Sequence, residues 1–478
     1  MPPRFVNQLL KPFLQYYALS WLKKQDYQKR ADEKVNKHLQ RLRNKGIGRA
    51  LGIEASTKIQ ELPLTSYEFY KPFFENPNPG DFMYPLDEYV RVYTSGTMGK
   101  PKTFLLPKKG LWRNIQATGM TMLFLSTHNG ERIEYEVGDV IYQNTPGGQF
   151  LSSFYYDLYE KKDLGWNVQV PDSNLSFQEK VDYFVEHYEE IDTAYMMVTT
   201  FLDQIYPRIN KPIYLKGFMT QDRSAYVLKD KIKELTGNYP KTLYGSTETM
   251  FISLPSIEHP GCFFFDWRVV YPEFIPEKDA ISEPPAKSEP PSSILKYDQV
   301  EVGKVYQLVA TPFENDLVRY VMPDLMECIA LGDNILGSPM PVFKYYARAD
   351  NLLVLHNFTR INEDELLEVL RRADIPFVDF TAVRELHGSR EYMNLYIELR
   401  EEMDAEEVLE RVNQELMEYD KDWRDLNQMM GYKPIKVTLL ERGAFKRYLQ
   451  KRGGLPKVNR INMRKEHLKL LTSKDGED

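Results

Sequence analysis

Tyr93-Thr-Ser-Gly-Thr-Met-Gly-Lys-Pro-Lys102 is the stretch on which the reading of this chain turns. Gly96 and Gly99 leave the backbone free to aim successive N–H groups at an anion. Thr94, Ser95 and Thr97 add hydroxyl donors, and Lys100 and Lys102 add positive charge. These are the components of a triphosphate site. Val90 and Val92 just before it predict a short strand that delivers the loop to the edge of a sheet, where open α/β folds bind ligands. The loop differs from the Gly-x-x-x-x-Gly-Lys-Ser/Thr loop of mononucleotide-binding ATPases, because Lys100 is followed by Pro101.

Outward from the loop, 478 residues exceed what one compact core holds and predict two or three domains. A net charge of −7 with scattered basic residues argues against a nucleic-acid groove as the main partner surface. The two cysteines, Cys262 and Cys328, are far apart and lack metal-ligand spacing. A disulfide framework or zinc site is therefore not expected, and a reducing compartment fits. The sequence has no apolar run long enough to cross a bilayer, no signal-like start and no lipidation motif, so the expectation is a cytoplasmic protein without an integral membrane segment.

Residues 3–50 read as a helical arm. Phe5, Leu9, Leu10, Phe13, Tyr16 and Tyr17 recur at helical spacing, and Val35, Leu39 and Leu42 continue the pattern. The bracketing basic residues suit a membrane-surface helix, but Pro12 interrupts the face, and the expectation is an arm packed on the main domain. A helix follows the loop over 111–123, and the stretch 139–149 reads as a buried strand followed by a glycine turn. Strand-like and helix-like segments then alternate through 167–240, including 194–199, 212–217 and a helix over 223–236. That alternation predicts a parallel sheet with crossover helices. The proline-rich stretch 277–298 reads as a mobile surface loop. Strands are expected at 303–310 and 317–324. Beyond 350 come a strand at 352–355, a helix at 363–373, strands at 376–386 and 392–399, a helix at 404–418 and a strand near 435–440.

Taken with its successors, the loop resembles the first signature of the adenylate-forming superfamily: acyl-CoA synthetases, peptide-synthetase adenylation domains and luciferases. It departs from that pattern at Met98. Tyr244-Gly-Ser-Thr-Glu248 resembles the second signature. Read alone, it would be a capped helix start. Arg319-Tyr-Val-Met-Pro-Asp324 is similar to a segment of the plant auxin-responsive amido synthetases, with Pro323 where glycine is usual. Arg348-Ala-Asp350 resembles the signature between the two domains, with Ala347 in place of glycine. Lys457, Val458, Arg460 and Arg464 fall on the last motif, with Pro456 replacing a glycine. The Pro-Leu-Thr segment at 63–65 also resembles the phenylacetate-CoA ligase and amido synthetase branches.

The resemblance implies an α/β fold: a large N-terminal domain of mixed sheets with crossover helices, 1–349, and a smaller mobile α+β C-terminal lid, 350–478. It implies an ATP-dependent ligase that joins a small carboxylic acid to AMP, releases pyrophosphate, and passes the acyl group to an amino acid or to CoA. Thr94, Ser95, Gly96, Thr97, Gly99 and Lys102 would hold the ATP phosphates. Tyr244 would pack near the adenine and acyl groups and Thr247 would meet phosphate. Glu248 would help hold Mg²⁺, Asp324 and Arg348 would take the ribose, and Asp350 would be the hinge. Lys457 would be the lysine that steadies the reacting carboxylate and α-phosphate. Attack of a carboxylate on phosphorus needs mainly positioning and charge neutralisation, which this residue set supplies. Tyr142, Tyr195, Met196, Met197 and Tyr244 are candidates to line the acyl pocket or to be core. The departures at Met98, Pro323, Ala347 and Pro456 motivate one alternative, a catalytically degenerate nucleotide-binding sensor or scaffold of the same fold. The acid, the acceptor and the oligomeric state are not legible.

Overall fold

The computed structural model describes residues 4–93, 102–144, 151, 165–222, 225–281, 284–349, 353–355, 359–387, 390–452, 458–463 and 465–473. They divide into two compact units, a larger one up to Tyr345 and a smaller one from Tyr346 onward.

The larger unit contains the expected parallel sheet. Its strands lie in the order Val168–Val170, Val140–Gln143, Thr193–Tyr195, Gly217–Thr220 and Pro240–Thr242, every neighbouring pair parallel. The helices Phe177–His187 and Lys229–Thr236 form parts of the crossovers. The first is defined by a reciprocal cap: Ser176 Oγ accepts from the Glu179 N–H, and the Glu179 carboxylate accepts from the Ser176 N–H. The second ends at Gly237, whose φ of +80° a side chain would disfavour. Val181, Phe184, Ile232 and Leu235 pack with Tyr142, Ala194 and Phe218 of the sheet. The strand expected at 212–217 begins only at Gly217.

A second, nine-stranded sheet is mostly antiparallel. Its main path runs Ser253–Pro255, Phe263–Phe265, Val342–Arg348, Tyr320–Ala330, Val305–Pro312, Val270–Pro276 and Leu295–Lys296. Aromatic side chains fill its interior: Phe274 stacks on Phe343 at 5.0 Å, and Tyr297 and Phe265 pack against both. The arm helix Tyr27–Leu42 packs here through Tyr27, Ala31, Val35, Leu39 and Leu42, a 3–4 residue periodicity. The stretch 277–298 contributes two short strands where only a loop was expected. Lys287–Ser288 pairs with Leu64–Thr65, and Leu295–Lys296 pairs with Glu273 and Phe274. Its composition is polar, yet Ile281 and Ile294 pack on Leu64, Ile275, Val309 and Val321.

Arg319 and Glu273 lock these strands together. Both are buried, and the guanidinium meets the carboxylate through two bonds of 2.9 Å, Nε to Oε2 and Nη2 to Oε1. Nη1 donates to the Leu62 carbonyl at 2.5 Å, and the Arg319 carbonyl accepts from the Thr65 N–H. The single pair thus joins the strands Val270–Pro276 and Tyr320–Ala330 to the segment 60–65. Replacing Arg319 with Met should cost about 3–5 kcal/mol in chemical unfolding, because Glu273 is left buried without a counter-charge. The double variant Arg319→Met, Glu273→Leu should recover much of that. Equal losses in the single and double variants would contradict the account.

His38, on the arm helix, is buried with Nδ1 3.1 Å from the Phe313 carbonyl. Burial first, and the charge of Arg41 second, lower its pKa to about 3. The unfolded imidazole titrates near 6.5, so the unfolded chain takes up a proton first as pH falls. Stability from the neutral ring is complete above that value and is lost between it and about 3, by roughly 1.4 kcal/mol per pH unit. A His38→Gln variant should show a shallower acid-side loss in urea unfolding. Parallel curves on both sides of the imidazole's unfolded pKa would count against this.

The smaller unit is α+β. Phe377–His387 pairs antiparallel with Arg390–Leu399, which pairs parallel with Ile435–Leu440. Helices Glu363–Arg372 and Ala405–Tyr419 match the expected positions, whereas Lys421–Met430 and Ala444–Arg452 were not anticipated. Trp423, on the first of these two, is fully buried, and its indole N–H donates to Asn413.

Candidate active site

The first signature is carried on an antiparallel hairpin. Tyr89–Tyr93 and Thr103–Pro107 pair from Tyr89 opposite Pro107 to Tyr93 opposite Thr103, so the chain enters and leaves the 94–101 segment at one point. Thr94, Ser95, Gly96, Thr97 and Gly99 lie outside the described residues. The strand from Val90 and Val92 is present, but among the described residues it pairs only with its hairpin partner and joins neither larger sheet. Lys102 is exposed, with Nζ 5.1 Å from the centre of the Tyr67 ring. The Tyr67 hydroxyl accepts from the Thr103 N–H at 3.1 Å.

The second signature follows Pro240–Thr242 and so leaves the carboxyl end of the parallel sheet. It forms a tight hairpin, not a helix start. Gly245–Ser246 pairs antiparallel with Met250–Phe251, placing Thr247, Glu248 and Thr249 at the tip. Ser246 Oγ accepts from the Thr249 N–H at 3.2 Å. A Cβ on Gly245 would lie 2.7 Å from the Met250 carbonyl oxygen, so the close approach of these strands requires glycine. The Glu248 carbonyl accepts from Asn315 Nδ2 at 2.7 Å. The half-buried Glu248 carboxylate makes no hydrogen bond or ion pair among the described residues.

Asp324 lies where the strand Tyr320–Ala330 bulges. The register with Val305–Pro312 slips between Val309 opposite Val321 and Gln307 opposite Leu325, leaving residues 322–324 out of step. Pro323 is accommodated there because a bulge asks for no ladder N–H. The Gln307 side chain substitutes for the interrupted ladder, donating to the Met322 carbonyl at 3.0 Å. The bulge turns Asp324 towards two phenols. Tyr244 donates to Oδ2 at 2.6 Å, and Tyr345 donates to Oδ1. The Tyr244 ring stacks on Phe263 and meets Phe265 edge-on. Burial first, then the charge of Asp324, hold the Tyr244 phenol far above its usual range, so it stays protonated and remains a donor.

Two adjacent residues tie the signatures together. Asn315 holds the Glu248 backbone, and Asp316 accepts from the Tyr89 hydroxyl at 2.6 Å and from the Met83 N–H at 2.7 Å, anchoring the loop hairpin. Both are buried, and burial raises the Asp316 carboxyl to about 6. Asn315, Asp316 and Tyr345 were not among the candidate residues. Their signal was slight: an Asn-Asp pair between strands reads as an ordinary turn. Of the pocket candidates, Tyr142 and Met196 are core, Tyr142 bonding the Lys180 carbonyl. Tyr195 instead donates to Gln221, whose amide reaches the Gly245 carbonyl at 3.4 Å.

In the smaller unit, Arg460 pairs with Asp379 and Glu363, and the backbone on either side of Ile461 bonds Ala382. The part of the last motif at 460–462 is thereby fixed to the strand Phe377–His387. Lys457 and Asp350 lie outside the described residues, as does the side chain of Arg348, which ends the strand Val342–Arg348.

No curated protein matches the sequence. Residues 263–344 match the GH3 family central domain and residues 363–461 the GH3 family C-terminal domain. Among solved structures, AtGH3.15 acyl acid amido synthetase in complex with 2,4-DB superposes with a TM-score of 0.69 at 15% identity, over 96% of this chain and 95% of that one. A 2-hydroxyisobutyryl-CoA ligase in the postadenylation state gives 0.63 at 13% identity, over 93% and 92%. ATP-bound MatB from Rhodopseudomonas palustris gives 0.50 at 14%, over 81% and 69%. The fold is that of the adenylate-forming enzymes. Asp324 falls within the stretch similar to the GH3 family central domain, and much of the smaller unit is similar to the GH3 family C-terminal domain.

The contacts separate two roles within the second hairpin. Glu248→Gln should leave the free energy of unfolding within about 0.5 kcal/mol of the parent, because no described residue engages the carboxylate. Asn315→Ala should cost about 1–3 kcal/mol by stranding the Glu248 carbonyl and the Leu317 N–H. Thermal and urea unfolding of the two variants check this, and a large loss in Glu248→Gln would contradict it.

Proposed function

We propose that the protein is an ATP-dependent carboxylic acid ligase that forms an acyl-adenylate and transfers the acyl group to an amino acid or to CoA. The observation that carries this reading is the Tyr244–Asp324 hydrogen bond. It unites two signatures 80 residues apart at one point, beside a hairpin that presents the Glu248 carboxylate, which no described residue engages. In the first half-reaction the substrate carboxylate oxygen attacks the α-phosphorus of ATP, the bond to the bridging oxygen breaks, and pyrophosphate leaves. In the second, an amine nitrogen or thiol sulfur attacks the acyl carbon, loses its proton, and AMP leaves. No covalent attachment to the protein is needed, so the side chains act by positioning and by charge.

Asp324, its carboxylate held in place by Tyr244 and Tyr345, is proposed to accept from ribose hydroxyls. Tyr244 provides a fixed aromatic wall. Thr94, Ser95, Gly96, Thr97, Gly99 and Lys102 are proposed to hold the β- and γ-phosphates, with Thr247 meeting phosphate and Arg348 the ribose. Lys457 is proposed to stabilise the charge that develops on the carboxylate and α-phosphate, with Asp350 as the pivot of a lid formed by 350–478. Mg²⁺, when bound, neutralises phosphate charge. A single carboxylate that no described residue engages, such as that of Glu248, suits it, because this ion keeps water and phosphate oxygens as its other ligands. No group of three or more His, Cys, Asp or Glu that could cage a metal occurs among the described residues.

Carboxylate-dependent exchange of pyrophosphate into ATP, over aryl, indolic and fatty acids, tests the reading. Exchange with at least one acid is expected, falling by about 100-fold or more in Lys457→Ala and Glu248→Ala, in line with loss of a transition-state charge contact. Adding CoA or amino acids to the active mixture then identifies the acceptor. ATP binding with no exchange for any acid would favour the sensor reading.

A further inference from the structure

Among the described residues, the arm helix Arg4–Ser20 finds its anchors along one edge. Asn7 is buried and donates to the Gly165 carbonyl at 3.0 Å, Lys11 pairs with Glu136, and the Ala18 carbonyl accepts from Thr121 at 2.9 Å. At its end Trp21 is buried beneath the Arg268 guanidinium, 3.8 Å from the ring centre, with Trp267 packed edge-on. These contacts fix the rotation of the helix and leave a defined face outward. That face carries Val6, Leu9, Leu10, Phe13, Tyr16 and Tyr17, spaced at i, i+3, i+4, i+7, i+10 and i+11. Leu9 and Phe13 are each 66% exposed, Tyr16 74% and Tyr17 72%. The packed-arm expectation thus holds for the opposite edge, while the aromatic stripe covers nothing among the described residues. A continuous stripe of this size on a fixed helix marks an interaction surface.

We infer that this face is an interfacial anchor that lays the helix in the plane of an anionic phospholipid bilayer. Residues 1–25 contain Arg4, Lys11, Lys23 and Lys24 and no Asp or Glu. Lys23 and Lys24 are exposed just beyond the helix end. An apolar stripe of Leu and Phe with tyrosines beside it, flanked by lysine, matches the chemistry of the acyl and headgroup boundary. The whole chain carries a net charge of −7 and residues 1–25 contribute +4, so the rest of the protein carries −11, and attraction to a negative surface has to come from the arm. The arm's own charge is +4, so a negatively charged surface complements it and a second copy of the same arm does not. Insertion lies in the plane, since among the described residues no helix is long and apolar enough to cross a membrane.

The full chain should cosediment with vesicles of phosphatidylcholine containing phosphatidylglycerol, far more weakly with phosphatidylcholine alone, and less as salt is raised. Leu9→Glu with Phe13→Glu should abolish binding. Lys23→Gln and Lys24→Gln should each weaken it about fivefold, corresponding to about 1 kcal/mol per basic residue near the surface. All these side chains are exposed, so unchanged thermal unfolding serves as the folding control. Absence of vesicle binding by the parent chain overturns the proposal. So does a concentration-dependent dimer in sedimentation equilibrium that the double glutamate variant dissociates, because a second copy would then occupy the face.

Discussion

The ion pair between Arg319 and Glu273 is the constraint on which the larger unit rests. Two charges removed from water hold their place only if every remaining donor is satisfied, and here the Leu62 carbonyl takes one of the guanidinium's free donors. The consequence is geometric. Arg319 has a positive φ of +48°, and it sits immediately before the strand that carries Asp324. Fixing it fixes both the entry of that strand and the short strand Leu64–Thr65 beside it.

From this clamp the candidate site is built by short steps along the chain. Four residues before Arg319, Asn315 reaches the hairpin of the second signature, and its neighbour Asp316 reaches the hairpin of the first. Five residues after it, Asp324 emerges at a bulge and meets two tyrosines. A single run of about ten residues therefore organises groups drawn from three distant parts of the sequence. The resemblance placed Asp324 in this run, but the structural roles of Arg319, Asn315 and Asp316 depend on partners up to 259 residues away.

Burial sets the character of the charged groups. Tyr244 is held protonated, Asp316 is raised, and His38 is held neutral, each mainly because low-polarity surroundings disfavour charge. Glu248 differs in kind: half-buried, at a hairpin tip, with a carboxylate that none of the described residues engages. Residues engaged on every side hold the architecture, and residues left partly unengaged are where a ligand can act.

The sequence by itself determined the alternation of strands and helices through 167–240, the α+β character of the region beyond 350 and the order of the signatures, because periodicity and turn chemistry are local properties. It also determined which residue types would be available for phosphate and carboxylate chemistry. Only the tertiary structure decided that the second signature is a hairpin, that Pro323 sits in a bulge and that 277–298 supplies strands. Each depends on a contact from another segment: Asn315 on the Glu248 carbonyl at the hairpin tip, Gln307 with Met322, Leu64 with Ser288. The outward aromatic face of the arm belongs to the same category. Spacing made Leu9, Phe13 and Tyr16 a helical stripe, but which side the body covers was set by Asn7, Lys11 and Trp21 and by the partners they find across the fold.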